Sequence, residues 1–128
     1  MEANLPEYYI VVERPVKFVP TENGGMSILK YNFETGRFDY GMEYLSRVMF
    51  SKDDDIEQIS EDEFVQQVEK LRGRKLQGEG TVYDLYELIN AMEDNAQQTK
   101  QELTKEDKAL IAILRRKTYE LFEQNESL

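Results

Sequence analysis

β-branched and aromatic residues gather in two short runs near the start of the chain, 8–12 (YYIVV) and 16–19 (VKFV), punctuated by Pro15 and Pro20. Runs of this kind predict strands, because such side chains suit a pleated, half-buried surface. Pro15 has no N–H to give to a ladder, so it predicts an edge position or a bulge. Residues 21–25 (TENGG) form a turn signal of the Asn-Gly type, whose residues tolerate positive φ. The turn is expected to join two antiparallel strands. Beyond it, Leu29, Tyr31 and Phe33 alternate with Ile28, Lys30 and Asn32, the period of a strand with one face buried. Residues 34–37 (ETGR) then make a tight turn into Phe38, Asp39 and Tyr40, which predicts a hairpin.

The period changes further along. Tyr44, Leu45, Val48 and Met49 sit at helical spacing, although the composition of 42–50 would also suit a strand; the spacing favours a helix. Residues 53–59 read as a polar connector. Ser60 followed three positions later by Glu63 is a capping box, in which each side chain serves an orphan amide of the other, so a helix is expected from Glu61. Phe64, Val65, Val68 and Leu71 lie along one stripe of it, and Gly73 is a natural stop.

Residues 73–80 (GRKLQGEG) are the most flexible segment by composition, and Thr81 is placed to cap the helix after it. There Val82, Leu85, Tyr86, Ile89, Met92 and Ala96 recur at three and four. Thr104 with Asp107 signals the start of a last helix reaching about Gln124, antiparallel to its predecessor. That helix opens with Ala109, Leu110, Ile111, Ala112, Ile113 and Leu114, apolar on every face, which calls for cover from more than one side. The expected fold class is α+β: an N-terminal antiparallel sheet of three to four strands, then three to four helices packed mainly on one face. A single domain over 1–128 is expected, with strands mainly in 1–51 and helices mainly in 60–128.

Composition narrows the chemistry more than the fold. The 128 residues contain no His and no Cys. Histidine is the side chain that titrates near neutral pH unaided, and cysteine is the readiest nucleophile. Without them there is no Ser-His-Asp or Cys-His machinery, no zinc finger, no thiol redox motif and no disulfide framework. No run of about 18 apolar residues occurs and no basic-then-apolar leader opens the chain, so neither a membrane span nor a signal peptide is expected. The lack of cysteine fits a cytoplasmic location.

Net charge is −10, from 26 acids and 16 bases. Half of the excess falls in residues 52–72, which hold 8 acids and 3 bases. Such a field disfavours nucleic acid and anionic lipid and favours a basic protein surface. The basic clusters Arg72, Arg74, Lys75 and Arg115, Arg116, Lys117 read as structural charge balancing against this background.

Three motifs come close and fail. Asp53, Asp54, Asp55 and Glu57 invite a calcium loop, but with Asp53 first the sixth place is Gln58, where a glycine is needed, and the twelfth is Phe64, where a bidentate Glu is needed. Gly73, Gly78 and Gly80 with Arg74 and Lys75 resemble a phosphate-cradling loop, but Glu79 stands where a P-loop has Lys. This segment reads instead as a hinge or docking loop. A carboxylate-pair hydrolase needs two acids facing each other across a cleft, and no spacing points to one. Among the tyrosines, Tyr31, Tyr83 and Tyr86 fall at core or core-margin positions, while Tyr8, Tyr9, Tyr40 and Tyr44 could border a binding face.

The expectation is a non-enzymatic protein-binding module, such as an inhibitor, an immunity-type neutraliser or a regulatory adaptor. It takes no cofactor or metal and meets a partner with a basic surface, neither nucleic acid nor membrane. Its candidate contact residues are Asp53, Asp54, Asp55, Glu57, Glu61, Asp62 and Glu63. The alternative is a homo-oligomeric scaffold, a homodimer being the simplest, pairing through Leu110, Ile111, Ile113 and Leu114. A carboxylate-dependent metal enzyme ranks third.

Overall fold

Five strands and four helices follow one another in a computed structural model that describes residues 5–51 and 55–126. In chain order they are β1 (Glu7–Val11), β2 (Arg14–Pro20), β3 (Met26–Tyr31), β4 (Phe38–Tyr40), α1 (Tyr44–Phe50), β5 (Ile56–Ile59), α2 (Glu61–Lys75), α3 (Thr81–Gln98) and α4 (Lys105–Glu126). The architecture is α+β. All strands pair antiparallel in one sheet of order β4-β3-β2-β1-β5. The chain divides into two compact units: Met1–Phe33 with Arg37–Phe64, and Glu34–Gly36 with Val65–Leu128.

In the first unit, β1 and β2 are joined by Val12 and Glu13 alone, both at positive φ (48° and 69°). Two consecutive left-handed residues match the twist of a hairpin, though neither Val nor Glu adopts that conformation willingly. Thr21 to Gly25 turns β2 into β3 as expected, with Gly24 at φ 81° and the Asn23 carboxamide oxygen accepting from the Gly25 N–H (3.3 Å) and the Thr21 hydroxyl (2.6 Å). The turn at 34–37 also forms, closed by Asn32 N–H to Arg37 O (2.8 Å).

Pro15 departs from expectation, for it lies in β2, a central strand. The register explains how. In a hairpin with a two-residue turn the pair beside the turn, Val11 and Arg14, is hydrogen-bonded, so the next pair, Ile10 and Pro15, is not. On the other side β3 pairs only from Val16, opposite Lys30. Continuing that register would set Pro15 against Tyr31, whose carbonyl instead accepts from Arg14 Nη1. A side-chain donor stands in for the amide that proline lacks.

Both faces of the sheet carry buried residues, so the alternation read from 28–33 holds only in part: Ile28 and Tyr31, three apart, are both buried. On one face Tyr9, Val11, Val16, Phe18 and Ile28 form a core, with Tyr44, Leu45 and Val48 of α1 packed against it. The helical spacing of 42–50 is therefore realised as a helix. On the other face Phe64, in the first turn of α2, meets Tyr8 (centroids 4.8 Å apart) and Phe38 (5.7 Å). Residues 56–59, read as connector, form a strand along β1, with Tyr8 opposite Ile59 and Val11 opposite Ile56.

In the second unit α3 and α4 run antiparallel, as expected. Val82, Tyr86 and Phe122 cluster at one end, and Glu93 meets Arg115 (3.2 Å) towards the other. Gly73 does not stop α2, which continues to Lys75. The glycine lies against Tyr86, whose ring would be 3.3 Å from an added Cβ, and its carbonyl accepts from Asn90 Nδ2 (2.9 Å). Its role is close approach between helices. Thr81 is the first residue of α3 rather than its cap; Gly80, at φ 119°, occupies the cap position. Thr104 does cap α4, its hydroxyl accepting from the Asp107 N–H (3.1 Å).

Candidate functional site

The acidic segment begins outside the described residues, where Asp53 and Asp54 fall. The remaining five acids, Asp55, Glu57, Glu61, Asp62 and Glu63, are all exposed. Glu57 lies on β5, an edge strand, and Glu61, Asp62 and Glu63 form the first turn of α2, where the helix dipole favours negative charge. Two of them also have structural work. Glu63 completes the capping box, accepting from the Ser60 hydroxyl (3.1 Å) while the Glu63 N–H donates to Ser60 Oγ (3.2 Å). Glu61 accepts from the Tyr8 hydroxyl (3.0 Å).

The antiparallel register sets the chemistry of this edge. Glu57 and Ile59 face β1 with their backbone groups, opposite Ile10 and Tyr8, which turns the N–H and C=O of Ile56 and Gln58 outward. Beside them Glu7 accepts from Gln58 Nε2 (3.1 Å) and from the Tyr9 hydroxyl (2.9 Å). Burial and the neighbouring Glu7 carboxylate push the Tyr9 phenol up to about 12.

The candidate pairing residues on α4 separate. Ile111 is buried within its own unit, Leu114 is half-buried, and Leu110 and Ile113 stand exposed, Ile113 at 66%. The opening of α4 is thus covered on one side rather than several.

A charged cluster in the second unit has no counterpart in the motifs of the sequence. Arg72 and Glu69 are fully buried and paired at 2.8 Å. Arg72 also donates to Glu123 (2.8 Å) and to Gly36 O (2.8 Å), and its guanidinium lies 3.9 Å from the centroid of Phe122. Glu69 accepts from the Tyr86 hydroxyl (2.7 Å) and is held by Thr118. Burial pushes the Glu69 carboxyl up, against the pull of Arg72 and these hydroxyls. Burial alone would lower Arg72, but the carboxylates of Glu69 and Glu123 outweigh it and hold the guanidinium higher. The periodicity held a signal: Glu69 and Arg72 continue the stripe of Val65 and Val68 at three and four.

The remaining described cations of the two basic clusters are engaged or exposed. Arg74 pairs with Glu93 (3.2 Å) and Asp94 (3.0 Å), Lys75 lies 3.9 Å from Glu34, and Arg115 pairs with Glu93. Among the described residues no group of three or more acids is arranged to hold a metal ion, and no helix is long and apolar enough to cross a membrane. Compared with protein-family models, curated proteins and solved structures, the chain matches none.

Proposed function

We propose that the chain is a non-enzymatic protein-binding module, of the inhibitor, neutraliser or adaptor kind, that meets a basic protein surface with the acidic rim of β5 and the first turn of α2. One observation carries the reading: Asp55, Glu57, Glu61, Asp62 and Glu63 are all exposed and follow one another along an edge strand and the helix start beyond it. Such a rim speeds encounter with a basic partner and selects against acidic ones. The absence of His and Cys from the sequence supports binding over catalysis. The test is capture from native extract at low and high salt, with the D55N/E57Q/D62N variant beside the natural chain. These three positions leave the Ser60–Glu63 cap and the Tyr8–Glu61 contact intact. Capture that weakens with salt and is lost in the variant is expected; capture indifferent to both removes the proposal.

A second reading is pairing of two copies through α4. It is favoured by the exposure of Leu110 and Ile113, which lie three apart on the same helix face. A monomer by light scattering at micromolar concentration excludes it.

A further inference from the structure

The second unit contains a cavity of ≈ 550 Å³ between the end of α2, the loop after it and α3, with Gly78, Glu79, Tyr83, Glu87 and Arg74 in its wall. That volume falls within the roughly 300–1,000 Å³ of small-ligand sites. Its wall has a distinctive chemistry. The Tyr83 ring lies against Gly78 so closely that an added Cβ would sit 2.9 Å from it, and it makes an edge contact with Tyr86 (6.1 Å). The missing Cβ at position 78 therefore leaves room for the ring in the wall of the cavity.

The charge of the wall is one-sided. Arg74, its single cation, is engaged by Glu93 and Asp94. The side chains of Glu79 and Glu87 make neither a hydrogen bond nor an ion pair among the described residues. An aromatic face attracts a cation through its quadrupole, and two uncompensated carboxylates act in the same direction. The segment that resembles a phosphate loop in sequence thus presents the opposite sign of charge to a ligand.

We propose that this cavity binds an organic cation with an apolar stem, an alkylguanidinium or alkylammonium, whose charged head meets Glu79 and Glu87 and whose stem lies along Tyr83. The site shares no residue with the acidic rim of β5, so the two proposals stand or fall separately.

The test follows the amide resonances of the full chain during titration with agmatine, with an end-blocked arginine peptide, and with benzoate as an anionic control. Saturable shifts at Gly78, Tyr83 and Glu87 are expected with the cations and none with benzoate. E79Q/E87Q, at two exposed positions, should retain the dispersed spectrum of the folded chain and weaken agmatine binding by roughly five- to tenfold, the scale of two exposed charge contacts. Tighter binding of the blocked peptide assigns the site to an arginine side chain of a polypeptide. Tighter binding of agmatine assigns it to a free amine. Shifts that do not saturate, equal shifts with benzoate, or unchanged affinity in E79Q/E87Q overturn the proposal.

Discussion

Arg72 carries a full charge into a place without solvent exposure, and it does so because every direction of its fork meets a partner: Glu69, Glu123, the Gly36 carbonyl and the face of Phe122. Removing Arg72 leaves the Glu69 carboxylate buried and uncompensated. Arg72→Met should cost about 3–5 kcal/mol in urea denaturation, and E69M/R72M should recover much of that loss. Equal losses in the single and double variants would show that the pair itself is stabilising. Tyr9 allows a test by titration. Its phenol is raised from 10.0 to about 12, so the neutral form is preferred in the folded chain. The associated stability is fully present below pH 10 and is lost as pH rises through the window up to about 12. Absorbance titration should show Tyr9 in the late-ionising fraction, and Tyr9→Phe should reduce that fraction by one tyrosine. The Tyr9 shift is not legible in the sequence, and Arg72 is legible only in part, as a continuation of the stripe of Val65 and Val68. There, Arg72 suits the negative end of a helix dipole equally well, and only the position of Glu123, 51 residues away, distinguishes burial from that role.

At the scale of elements, the helices and hairpins whose signals are local were legible: the Ser60–Glu63 box, the turn at 21–25 and the stripe on α3 all act within a few residues. What was missed depends on a neighbour. Residues 56–59 offer only Ile56 and Ile59 as apolar positions, three apart, and become a strand because β1 supplies the ladder. Pro15 is tolerated in mid-sheet because of the register and Arg14, neither of which a local pattern reveals. The β1–β2 turn provides the matching prediction. Val12 and Glu13 occupy left-handed conformations that cost L-residues about 1–2 kcal/mol each. V12N/E13G, the composition this turn prefers, should raise stability by about 1 kcal/mol after the entropy of the added glycine. Unchanged or lower stability in equilibrium denaturation would count against a strained turn.

For the whole molecule charge matters most: −10 over 128 residues opposes compactness by self-repulsion. Screening reduces that repulsion over distances of about 10 Å at 0.1 M salt. The melting temperature should therefore rise as sodium chloride is added from low ionic strength; a fall would mean that ion pairs such as Arg74–Asp94 outweigh the repulsion. Composition made this balance legible, along with the position of the acid excess. It did not reveal that part of the excess lies on a sheet edge. An edge strand with outward amides at Ile56 and Gln58 is a template on which another copy of the same strand could be laid, and carboxylates beside it are among the devices that keep such copies apart. The exposed acids of 55–63 therefore set like charges along the very edge that a second copy of the strand would have to approach, a repulsion built into the sheet whatever else the segment meets.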